Sequence, residues 1–113
     1  MNLLILAALK RELVPIQNHL VNVYKNNLGV CLNFQKIPIG LSKSKINIPQ
    51  YCSENSVDMI INAGTAGAIS NDLHLLDIFF PSFVSDDNNQ GISLEMAQSI
   101  VGSAPEHWKT GTL

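Results

Sequence analysis

The chain has little of what most often announces a function. Arg11 is its only arginine among seven basic residues, and just 14% of all residues are charged. The formal net charge is −2, and the lysines are scattered apart from a small cluster at 43–45. That distribution leaves no basic face for a nucleic acid. Cys31 and Cys52 stand alone without CxxC spacing, which argues against a disulfide framework or a zinc site. Two buried free thiols in a reducing cytoplasm are the simpler reading. His19, His74 and His107 share no metal-ligand spacing, so no metal and no cofactor is assigned. The first apolar run, residues 3–9, is too short to cross a bilayer. It has no basic segment before it and runs straight into Lys10-Arg11-Glu12, a poor pattern for a signal peptide. The expected setting is the cytoplasm, with no membrane and no nucleic acid among the partners.

What is present is an ordinary globular composition, 46% hydrophobic over 113 residues, enough for one domain spanning 1–113. The chain is organised around residues 57–67. Val57, Met59, Ile60 and Ile61 form a short apolar run of the kind that is buried on both faces in a parallel sheet. Gly64-Thr65-Ala66-Gly67 follows, with two glycines, a hydroxyl and a methyl. Such a turn lets a ligand approach backbone N–H groups, and in open α/β sheets ligands lie at the carboxyl ends of strands. A tight turn without a ligand is the structural alternative, because short glycine turns are common.

Before this stretch, residues 2–8 read as a buried central strand, and Leu13, Ile16 and Leu20 follow at helical spacing. Pro15 is comfortable only in a first turn, so the helix is expected to begin near Leu13 or Val14, with Glu12 at its N-terminus. Val21-Asn22-Val23-Tyr24 alternates like a strand, and residues 25–29 read as a turn. With a returning strand at 30–34, they predict a hairpin. A short strand at 37–39 is expected to lead to a helix near 44–53, capped from Ser42–Ser44 and limited by Pro49. Residues 75–80 read as a buried strand ended by Pro81. A polar loop at 85–91 precedes a short helix over 93–101 with Ser93 as its cap, and Thr110–Leu113 reads as a turn into another strand. The order β-α-β-β-β-α-β-β predicts an α/β fold with a mixed sheet.

Three blocks in this order resemble the N-terminal half of the purine nucleoside phosphorylase/nucleosidase superfamily. They are Ile5-Leu6-Ala7-Ala8-Leu9-Lys10-Arg11-Glu12-Leu13, Ile39-Gly40-Leu41-Ser42-Lys43, and Ile60-Ile61-Asn62-Ala63-Gly64-Thr65-Ala66-Gly67-Ala68 followed by Leu76-Asp77-Ile78. The branch they are most similar to is the methylthioadenosine/S-adenosylhomocysteine nucleosidases, N-glycosyl hydrolases of purine nucleosides. The resemblance implies a truncated nucleoside phosphorylase-like fold, a mixed β-sheet with flanking helices. It implies that Glu12 is the catalytic residue, holding and deprotonating the attacking water. It implies that Leu9 and Leu41 line the ribose and 5′ pocket, and that Thr65, Ala66 and Gly67 lie against a small-molecule purine nucleoside. A first-turn acid that stabilises its helix is the bland alternative for Glu12.

The departures are specific. Gly40-Leu41-Ser42-Lys43 lacks a glycine found in the family's turn, and Lys45, Ile46 and Asn47 replace small residues. The stretch between the first two blocks is shorter than usual. Leu76 stands where a glycine usually precedes the aspartate at Asp77. The family's C-terminal half carries the purine-protonating aspartate, the stacking aromatic and the acid that grips ribose, and these 113 residues match only the first half. Impaired or lost catalysis is therefore expected. A purine nucleoside phosphorylase is the second reading, but Asn62 stands where such enzymes carry a phosphate-binding arginine. The third is a non-catalytic remnant or partner-binding fragment, with uncovered edges that a homodimer would satisfy.

Overall fold

The computed structural model describes residues 1–37, 47–85, 88, 90–94 and 108–113. It is mixed α/β, with two helices and two three-stranded sheets among the described residues. The chain divides into two compact units, Met1–Ala66 and Gly67–Leu113.

The first unit is built on β1, Asn2–Ala7. Helix α1 (Lys10–Tyr24) follows, then β2 (Cys31–Lys36), α2 (Ile48–Glu54) and β3 (Met59–Asn62). The sheet order is β2-β1-β3, and both pairings are parallel. A parallel neighbour on each side needs a crossover on each side, and α1 and α2 lie within those two crossovers. The central strand is apolar along its length because it is covered on both faces. Leu3, Leu4, Ile5, Leu6 and Ala7 are all buried, Leu4, Ile5 and Ala7 completely. Leu3, Ile5 and Ala7 share a face with Leu13, Ile16 and Leu20 of α1, joined by Leu32 and Phe34 of β2 and Met59 of β3. The helical stripe read from the sequence is thus the stripe that closes the core.

Several expectations are corrected. Cys31 is exposed and Cys52 half-buried, so neither is a buried thiol. The run at 57–61 is not buried on both faces, because β3 lies at the end of the strand order and leaves Ile60 45% and Ile61 38% exposed. Helix α1 starts at Lys10, not at Leu13 or Val14, and runs through Pro15. Its first turn closes upstream of the proline, with Leu13 N–H donating to the Leu9 carbonyl at 3.1 Å. The N–H that Pro15 lacks would have met the carbonyl of Arg11, an exposed residue whose carbonyl water can serve. The alternating 21–24 segment is the last turn of α1, not a strand. Val21 and Val23 face solvent at 48% and 54% exposure, so their alternation marks no sheet face. The hairpin expected at 21–34 is absent, since β2 pairs in parallel with β1. Helix α2 begins at Ile48, where Asn47 accepts from Gln50 N–H and Pro49 occupies the first turn. The strand expected at 37–39, and Leu41 with it, lies outside the described residues apart from Ile37, whose N–H donates to the Ala7 carbonyl at 2.9 Å.

The second unit contains β4 (Ile78–Ser85), β5 (Gly91–Ser93) and β6 (Trp108–Thr112), in the order β5-β4-β6. The β4–β5 pair is antiparallel and the β4–β6 pair parallel. The buried strand expected at 75–80 begins only at Ile78, with Leu75 and Leu76 exposed before it, and Pro81 does not end it. The ladder to β6 shifts register between Pro81 and Phe83, and pairing with β5 begins only at Phe83, so the proline sits at an irregularity of the kind that tolerates it. Gly91 is required by packing, because a Cβ there would stand 1.9 Å from the Val84 carbonyl oxygen. Phe80 and Trp108 stack with ring centroids 5.1 Å apart. Ser93 belongs to β5 rather than capping a helix, and residues 95–101 of that expected helix lie outside the described residues. Residues 110–112 continue β6 rather than forming a turn.

Candidate functional site

Strands β1 and β3 lie side by side and run the same way, so their carboxyl ends meet. The register pairs Leu6 with Asn62, and Ala63 N–H extends the ladder by donating to the Leu6 carbonyl at 2.9 Å. The chain leaves β1 for β2 on one side and reaches β3 on the other. The gap between β1 and β3 is therefore the switch point where ligands of open α/β sheets bind.

Two side chains meet at that end. Glu12 is the third residue of α1, placed there by the short link from β1. Thr65 follows β3 in the turn. One carboxylate oxygen of Glu12, Oε1, accepts the Thr65 hydroxyl at 2.8 Å and the Thr65 N–H at 3.0 Å. The other, Oε2, accepts the N–H of Leu9 at 3.1 Å. Leu9 is the N-cap residue, so Glu12 makes half of a capping box. Leucine has no acceptor to return the second half, and Glu12 N–H bonds the Leu9 carbonyl at 3.0 Å instead.

These donors favour the ionised carboxylate. The Thr65 hydroxyl has the largest effect and the Thr65 N–H the next, holding the Glu12 pKa below its ordinary value. Desolvation opposes them, and the Leu9 N–H and the nearby Arg11 charge add to them.

The turn glycines differ from Gly91. A Cβ on Gly64 would sit 3.6 Å from both Glu12 oxygens, an ordinary contact, and one on Gly67 would meet nothing within 4 Å. Neither adopts the left-handed conformation that favours glycine. Local packing thus leaves the backbone of this turn open.

Of the residues singled out in the sequence, Glu12, Leu9 and Thr65 are brought together. Ala66 continues the exposed turn, Gly67 begins the second unit, and Leu41 lies outside the described residues. The Leu9 N–H was missed because its signal, an acid at the third helical position, usually accompanies a Ser or Thr cap, and Leu9 hides that pattern. Among the described residues no group of three or more His, Cys, Asp or Glu side chains could hold a metal ion. No helix among them is long and apolar enough to cross a membrane.

Comparison with protein-family models, with curated proteins and with solved structures finds no match.

Proposed function

We propose that this chain carries the water-activating half of a purine nucleosidase site of the methylthioadenosine/S-adenosylhomocysteine type. The observation that carries the reading is the pair of hydrogen bonds from Thr65 to Glu12, at the carboxyl ends of adjacent parallel strands. Those are the two residues that the resemblance sets against the attacking water and the nucleoside. A carboxylate kept ionised by its neighbours is suited to take a proton. In the step, Glu12 takes a proton from water as the water oxygen bonds to the anomeric carbon. The C–N bond breaks, its electron pair leaves with the purine, and the purine takes a proton from solvent.

A second feature supports the alignment. The resemblance sets Leu76 where the family has glycine, and Leu76 has φ +72°, a left-handed conformation that glycine adopts freely and leucine does not. The backbone keeps a glycine-like bend at the position where the side chain departs.

Hydrolysis is preferred to phosphorolysis because Asn62, not an arginine, ends β3 beside the turn. Leu9, Gly64 and Thr65 offer no acid for the departing purine, and such an acid is worth ~10²–10⁴-fold. Turnover by the 113-residue chain alone is accordingly slow or nil. The non-catalytic reading rests on the Leu9 contact, through which Glu12 also caps its own helix. The test is adenine release from methylthioadenosine with and without phosphate. Slow, phosphate-independent release that Glu12→Gln removes is expected. Release that requires phosphate would overturn the hydrolase reading, and release unaffected by Glu12→Gln would overturn the site.

A further inference from the structure

The two oxygens of Glu12 are not equivalent. A carboxylate offers about four lone-pair sites. Oε1 has two donors, both from Thr65, while Oε2 has one, the Leu9 N–H. The full oxygen faces the turn and the half-used oxygen faces the start of α1. We propose that Thr65 is a positioning residue for Glu12, committing Oε1 to the turn so that Oε2 is the oxygen that meets water or a ligand hydroxyl. The water in this statement rests on the nucleosidase reading. The placement of the carboxylate does not.

The hydroxyl and the N–H of one residue form a two-point clasp, and a two-point clasp fixes direction as well as distance. Without it Glu12 keeps only the Leu9 bond and is free to rotate about its terminal torsion, which is broad and soft for glutamate. Arg11 is the charged neighbour acting on the carboxylate, and it lies on the same helix. The turn contributes Gly64 and Thr65, which carry no charge. Removing the hydroxyl therefore removes the largest single influence on the ionisation of Glu12 and leaves Arg11 in place.

Thr65→Val deletes the hydroxyl and keeps the N–H and the branched shape, Thr65→Ala deletes it with a smaller side chain, and Thr65→Ser restores it. Thr65 is exposed, so each change leaves the core untouched. The readout is the titration of the Glu12 side-chain carbon by NMR in the full chain labelled at glutamate, which needs no turnover. The native Glu12 is expected to titrate below the ordinary glutamate value of about 4.3. Thr65→Val and Thr65→Ala are expected to move it up toward that value, and Thr65→Ser to return it. A midpoint that does not move in Thr65→Val and Thr65→Ala, or that Thr65→Ser fails to return, overturns the positioning role. Adenine release that requires phosphate, or that Glu12→Gln leaves unchanged, with these shifts intact would overturn the nucleosidase reading and leave the positioning role standing.

Discussion

The first sheet ties β1 to β3 at both ends with a carboxylate, and the two ends differ in what they leave open. At the amino end Asp58 accepts the Asn2 N–H at 2.7 Å, and Asp58 N–H donates to the Asn2 carbonyl at 2.8 Å. The Asn2 side chain adds a bond to the Ser56 carbonyl at 3.0 Å. These are sheet-closing contacts between the first residue of β1 and the residue just before β3, and they fix register. At the carboxyl end Glu12 comes from outside the sheet, on a helix, and reaches a turn with two glycines. A carboxylate that finishes a ladder holds structure. One that bridges a helix to an open turn at a switch point is also available to a ligand. Residue type does not distinguish the ends; strand direction does.

The largest effect expected from this difference is in catalysis. Glu12→Gln should lower whatever adenine release the chain shows by about 10²–10⁴-fold, the usual worth of a general base. Asp58→Ala should leave release unchanged in the remaining folded protein. Equal losses from the two changes would erase the distinction between the ends.

Next is stability. Asp58→Ala removes the Asn2 contact and should cost about 1 kcal/mol in urea unfolding, the net worth of a typical hydrogen bond. It should leave the denaturant slope unchanged, since the same surface is exposed on unfolding.

Acid sharpens the comparison further. The folded state holds the Glu12 pKa below its ordinary value, so the carboxylate contributes stability above the unfolded value of about 4.3. That contribution fades as pH falls through the lowered folded value. Glu12→Gln should flatten this acid-side slope in stability measured against pH.

The smallest effect lies in the second unit. Leu76→Gly relieves the left-handed strain of a leucine that is 88% exposed. Leucine in that conformation costs roughly 1–2 kcal/mol, and the added freedom of glycine in the unfolded chain returns roughly 0.5–1 kcal/mol. A net stabilisation of a few tenths to about 1 kcal/mol is expected by thermal or urea unfolding. A loss of stability would show that the Leu76 side chain makes a contact worth more than the strain.

Legibility in the sequence followed the range of the interactions. The central strand was readable because an unbroken apolar run has one comfortable place, between two parallel neighbours. The Leu13/Ile16/Leu20 stripe was readable because its period is local. Val21-Asn22-Val23-Tyr24 misled because alternation is meaningful only against a sheet, and the preceding stripe carried the helix through it. Pro15 and Pro81 misled in the opposite way. Pro15 reads as delaying the start of a helix and Pro81 as ending a strand, yet α1 begins five residues before Pro15 and β4 runs on past Pro81 through a register shift. The meeting of Glu12 with the glycine turn was legible as convergence of strand ends. The division of labour between its oxygens was not, because it depends on one backbone N–H and one hydroxyl that no spacing announces.

The central claim is that the ligand-binding end of this sheet is the one where Glu12 meets Thr65. The most direct measurement is a titration of the ¹⁵N-labelled chain with methylthioadenosine, following backbone amides. Saturable shifts at Leu9, Gly64 and Thr65, with Asn2 and Asp58 unmoved, are expected. Shifts confined to Asn2 and Asp58, or no shift at Leu9, Gly64 and Thr65 at any concentration of nucleoside, would contradict it.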